Sequence, residues 1–175
     1  VAAKQWRQLA VLAKLALLTV GQGIFYVSIL GWSETSPRLA IYLGLFAIVG
    51  LVLMMLRRVF PVFAQAALGT ASPPPCPAWI DRISMVVFLV FLVLFLLDLE
   101  WLYVAIAAAV MASVLTVRLW LWHIRSFWSM PLLWVLYASL IFITLGFALF
   151  AAVYLWPRLY YLAVHAMAFG GLGLV

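Results

Sequence analysis

The sequence predicts an all-α, polytopic helical membrane protein with about six transmembrane helices. Three observations carry this. Of 175 residues, 70% are hydrophobic and 8% charged, which is more apolar surface than a water-facing exterior tolerates. The apolar residues fall in unbroken runs of about 20, the length that spans a hydrocarbon core as helix, without the period-two alternation of a barrel strand. The charges cluster between the runs, where they orient helices. The net charge of +6 is therefore loop charge and does not point to a nucleic acid partner; the partner it implies is the lipid bilayer.

The first span covers about residues 9–30. Lys4 and Arg7 precede it, and Lys14, one turn inside, has a stem long enough to snorkel to the same interface. Gly21-Gln22-Gly23 weakens this helix near its middle and favours a bend or close packing. Ser36-Pro37 is a start signal, with serine at the N-cap and proline at the first helical position, for a second span over 38–56. Arg57 and Arg58 complement the dipole at its C-terminus. Pro61 disfavours helix at Phe60, so 61–78 is expected as a linker. Within it, Pro73-Pro74-Pro75-Cys76-Pro77 favours extended polyproline geometry. Cys76 is the one cysteine and makes neither an intrachain disulfide nor a CxxC pair.

The third span, 79–97, opens with Asp81 and Arg82 at the interface. From Ile83 to Ser129 there is no glycine or proline. Reading helix straight through would leave Asp98 and Glu100 in lipid, at about 2.5–3.5 kcal/mol for an aspartate. A hairpin puts both in water, so the fourth span is 101–120. Trp120, Trp122 and Trp128, with His123 and Arg125, then form a basic aromatic belt of the kind that sits at a membrane interface. Pro131 opens the fifth span, 131–154. Trp156-Pro157-Arg158 turns the chain, and the sixth span, 159–175, carries His165. The whole reads as a single transmembrane domain, 1–175. The chain begins on Val1 and closes on Val175 inside a helical pattern, so it is expected to be part of a longer protein.

Six spans place Lys4, Arg7, Lys14, Arg57, Arg58, Arg82, Arg118 and Arg125 on one side. Arg38 and Arg158 lie on the other with Glu34, Asp98 and Glu100. The positive-inside rule makes the basic side, and with it the N-terminus, cytoplasmic. His165, seven residues past Arg158, is then roughly 10 Å below the outer surface.

An ionisable side chain at membrane depth is costly and is a functional candidate. His165 reads two ways: as a neutral imidazole ligating haem iron or copper, or as a histidine hydrogen-bonded to a neighbouring helix. Gln22, Tyr26, Tyr42, Tyr103 and Tyr154 share its depth, whereas Met167 faces away. His123 belongs to the opposite interface, about 20 Å or more from His165. It is a surface residue, a peripheral metal ligand or a haem propionate contact, but not a second axial ligand to the same iron. Arg57 and Arg58 either meet lipid headgroups or anchor a propionate or other anion. There is no nucleophile–base pair, no phosphate loop and no paired carboxylate within a span, so no catalytic residue is assigned.

Several segments resemble one known family. Arg57-Arg58-Val59-Phe60-Pro61-Val62-Phe63 resembles the "GRViPpFT" segment of the NnrS family. His165-Ala166-Met167-Ala168-Phe169-Gly170-Gly171-Leu172 is similar to its "HALTvGAIGGL" segment. Pro131-Leu132-Leu133-Trp134-Val135-Leu136-Tyr137 resembles "PLLWVLH", and Trp79-Ile80-Asp81-Arg82 matches a W-x-D-R start to the next helix. Order and spacing agree over nearly the whole chain. The resemblance implies a multi-pass protein of the bacterial inner membrane that contains haem and copper and is linked to nitric oxide response and denitrification. It implies that this chain is the middle part of a longer one, whose remaining transmembrane helices are partners. It makes His165 a family histidine and the metal-ligand candidate, with Arg58 and His123 as further cofactor-binding candidates. The departures are Tyr137, where the family pattern has histidine, and Arg57 and Ala64, where it has glycine and threonine. The competing expectation is a helical membrane transport or assembly protein with no cofactor, in which His165 only packs helices.

Overall fold

The computed structural model describes residues 6–31, 37–68, 77–123 and 130–174; the side chains of 6–11, 13–14 and 67–68 are not described. The elements are α1 (Trp6–Ile29), α2 (Pro37–Leu68), α3 (Ala78–Leu96), α4 (Trp101–Leu121), α5 (Pro131–Ala152) and α6 (Leu159–His165). The last continues as a π-helical segment, Ala166–Leu172. No strand occurs among the described residues. The helices over Pro37–Ala66, Ala78–Leu96, Trp101–Leu121 and Pro131–Ala152 are long and apolar enough to cross a bilayer; the apolar stretches Leu15–Ile29 and Leu159–Leu172 are shorter. The chain is a multi-pass helical membrane protein. Lys4, Glu34, Ser36, Cys76, Arg125 and Trp128 lie outside the described residues, as do the side chains of Arg7 and Lys14.

By contacts within the chain, two compact units stand out, Val1–Leu51 and Val52–Val175. In the first, α1 stays helical through Gly21-Gln22-Gly23. Gly21 is buried against α2, where an added Cβ would come within 3.3 Å of Leu43 Cδ2, whereas nothing lies within 4 Å of such an atom at Gly23. One glycine thus serves close packing, and the intact helix absorbs the other. Gly31, at φ +72°, ends the helix in the left-handed conformation that glycine adopts without a Cβ clash.

The second unit holds the C-terminal part of α2 together with α3 to α6. Here one expectation is corrected. Residues 61–68, read as the start of a linker, are helical, with Pro61 inside α2. Proline in a helix interior costs about 3 kcal/mol, and packing outweighs it. Phe60 and Ala64, on either side of Pro61, are fully buried. The Phe60 ring stacks on Trp122 at the end of α4, centroids 4.5 Å apart and planes within 10°. The local rule yields to a contact made by a residue 62 positions further on, Trp122 with Phe60. Residues 69–76 lie outside the described residues.

The α3–α4 hairpin turns at Asp98, as the acid residues require. Asp98 N–H donates to the Phe95 carbonyl and Leu99 N–H to the Leu94 carbonyl, and Asp98 takes φ +49°. These paired bonds across a left-handed residue close the helix end. Pro131 is the first residue of α5, after Met130 in extended conformation.

α5 is the hub: it packs on α4, on α6 and on the π-helical segment, while α3 packs on α4. Between helices in lipid the hydrophobic effect supplies little drive, so small residues and shape fit decide. Ala105, Ala107, Ala108 and Ala112 form the buried face of α4. At one end of the unit Phe91, Phe95, Phe147, Phe150, Trp101 and Tyr160 interlock, with ring centroids 5.1–6.3 Å apart. Arg57, Asp81 and Arg118 meet at the other end. This up-and-down order puts Asp98, Glu100 and Arg158 at the aromatic end and Arg57, Asp81, Arg82 and Arg118 at the opposite one.

Candidate functional site

The polar end of the second unit is built on Arg118, in the last turn of α4 and only 2% exposed. Its Nη2 donates to Asp81 Oδ1 at 2.7 Å and to Ser84 Oγ at 3.0 Å. The Ser84 hydroxyl in turn donates to the Asp81 carbonyl at 3.1 Å. Arg57 Nε lies 3.7 Å from Asp81 Oδ2, and the Arg118 guanidinium carbon lies 5.5 Å over the Trp122 ring. A charge is tolerated in the interior when it is paired and hydrogen-bonded, and Asp81 supplies both conditions. Sequence reading treats Arg118 as loop charge and so misses this network. A signal for it exists: an antiparallel hairpin brings the start of α3 and the end of α4 together, with opposite charges.

Of the two candidate arginines, Arg57 is half-buried beside Asp81, and Arg58 is exposed. His123 is exposed at the end of α4. Its Nδ1 lies 3.5 Å from the Tyr137 hydroxyl, which donates to the Leu119 carbonyl at 3.0 Å. The structure therefore gathers His123 and Tyr137 at the polar end.

His165 lies elsewhere. It is the last residue of α6, where the backbone changes from α to π. The wider π turn is rare and is frequently found at functional sites. Here glycines on both helices line a close crossing of this segment with α5. An added Cβ at Gly170 would overlap Phe142, and one at Gly146 would overlap Met167; at Gly171 it would come within 2.6 Å of Ile143 Cγ1. Ser139, from α5, donates its hydroxyl proton to the Gly171 carbonyl at 2.5 Å, satisfying a backbone acceptor at the close crossing.

That crossing buries Ala163 and Met167 against α5 and leaves His165 exposed on the outer face. Its Nδ1 sits 2.7 Å from the Tyr161 carbonyl. A carbonyl only accepts, so Nδ1 carries the proton, and in the neutral ring the lone pair is on Nε2. Fixing the tautomer through the other ring nitrogen is how proteins prepare a histidine to ligate. The ring stacks on Phe169, centroids 5.7 Å apart. Both line an open groove of about 590 Å³ with Phe142, Leu145, Leu149 and Leu162. The volume lies within the roughly 300–1,000 Å³ of cofactor-sized sites.

The lining is apolar apart from one imidazole, so these residues would fit a flat, apolar macrocycle held through His165. They do not fit a copper site: among the described residues no three His, Cys, Asp or Glu side chains come together. Tyr103 and Tyr154 are exposed and do not line the groove. Gln22, Tyr26 and Tyr42 belong to the other unit. Along α5, Tyr137 and Gly146 are nine residues apart, roughly 14 Å. His123 touches the first level and α6 the second, so the two histidines cannot share one iron.

Two searches, of curated proteins and of solved structures, return no match to this chain. The model of the NnrS protein family matches residues 1–175. Since that match covers the polar end, the proline inside α2 and the histidine helix alike, the chain belongs to the NnrS family.

Proposed function

We propose that this chain is a haem-binding inner-membrane protein of the NnrS type, serving the nitric oxide response linked to denitrification, with His165 as the residue that would hold the haem. One observation carries the reading: the Tyr161 carbonyl holds the His165 proton on Nδ1, so Nε2 is available as a donor in an apolar groove. Bound haem supplies iron that takes a small ligand such as nitric oxide. The protein's own contribution is to orient one imidazole, to offer Phe142 and Phe169 as apolar walls, and to keep the groove free of competing polar side chains. Copper enters the reading through the family alone, and the described residues offer it no ligand set. The basic end of the bundle, with Arg57, Arg82 and Arg118, faces the cytoplasm in this reading.

The test is the visible spectrum of the full chain, purified in detergent and titrated with haemin. A Soret band is expected that is lost in His165→Ala and kept in His123→Ala. A band that survives His165→Ala removes the assignment. A second reading has its own support: Ala166 and Gly170 line the groove, and small residues let another helix pack closely. A transport or assembly protein of that kind takes up no haemin and stays colourless with full helix content.

A further inference from the structure

Resting on the haem reading of His165, we propose that Arg158 holds the carboxylate end of the same ligand. Arg57 and His123 lie at the polar end of the bundle, roughly 14 Å from the level of His165 along α5. Arg158 is on the helix that carries the histidine. It sits at the N-cap of α6 with helical dihedrals, φ −63° and ψ −21°, and the α-helix runs unbroken from Leu159 to His165. Seven residues make two turns less about 20°, so Arg158 and His165 share a face, about 10 Å apart along the axis.

The surface between them is open. Tyr161 is 66% and Leu162 54% exposed, and Phe169, one turn beyond the histidine, is 76% exposed. Arg158 is itself exposed. Among the described residues, neither Asp98 nor Glu100, the acids at its end of the bundle, makes an ion pair with it. The face thus runs from a guanidinium at the membrane surface, over apolar and aromatic side chains, to an imidazole below. An amphiphile that is flat, apolar and metal-bearing at one end and anionic at the other matches that order. The planar fork of a guanidinium takes a carboxylate through two parallel hydrogen bonds.

The experiment is a two-by-two comparison on the full chain in detergent: wild type and Arg158→Gln, each titrated with haemin and with haemin dimethyl ester, which has no free carboxylate. Wild type is expected to bind haemin on the order of tenfold more tightly than the ester, and Arg158→Gln is expected to lose that preference. The Soret maximum of bound haemin should be unchanged in the variant, because the ligand to iron is untouched. Arg158→Lys should recover part of the preference as a point charge. If Arg158→Gln keeps the wild-type preference for free carboxylates, the proposal is overturned while the His165 reading stands. If wild type takes up no haemin, both fall together.

Discussion

The Asp81–Arg118 cluster and the His165 face are both polar features of an apolar bundle, and they differ in what surrounds them. Arg118 is enclosed by Asp81, Ser84 and Trp122 and is 2% exposed. His165 has one local bond, to a carbonyl four residues back on its own helix, and is exposed. A buried charge with its counter-charge in place holds elements together, and removing one partner leaves the other stranded. An exposed imidazole with its proton directed to one nitrogen contributes little to packing and keeps the other nitrogen for a ligand. Chemical type alone therefore does not separate a polar residue that holds the fold together from one left open on the surface.

That contrast can be broken in order of expected size. Asp81→Ala strands Arg118 and should cost about 3–5 kcal/mol. This would be read as a large fall in the unfolding midpoint in detergent, or as a failure to accumulate folded protein. Asp81→Asn, which keeps an acceptor for Arg118, should fall between. A near-wild-type midpoint for Asp81→Ala would mean the cluster does not hold the helix ends. Gly170→Ala drives a Cβ into Phe142 and should cost about 1–3 kcal/mol as overpacking. It should also perturb the haemin spectrum, since Phe142 and Gly170 line the histidine groove. The smallest effect sharpens the contrast most. His165→Ala should change stability by no more than about 0.5 kcal/mol while abolishing the Soret band. A drop of several kcal/mol instead would make His165 a packing residue and favour the cofactor-free reading.

Much of the fold is legible in the chain itself. Apolar runs separated by charge mark the helices, Asp98 and Glu100 mark the α3–α4 turn, and Pro131 marks the start of α5. His165 is conspicuous because an ionisable group is rare in such a run. The tautomer is not legible, although the Tyr161 carbonyl that sets it is only four residues away; it depends on the rotamer of the ring. Nor is the placement of His123, which meets Tyr137 through the approach of α4 to α5.

Hydropathy and local propensity, read along the chain, determine that this protein is a membrane-spanning helical bundle and roughly where its helices turn, because insertion energy and backbone preference are properties of neighbouring residues. Three outcomes belong to the tertiary structure: helix continuing through Pro61, burial of Arg118, and the close crossing of the segment after His165 with α5. Each depends on a partner distant in sequence: Trp122 stacked on Phe60, Asp81 paired with Arg118, and Phe142 and Ile143 pressed against Gly170 and Gly171. Local preferences of a few kcal/mol are overridden when a close-packed interior supplies contacts of equal size from another part of the chain.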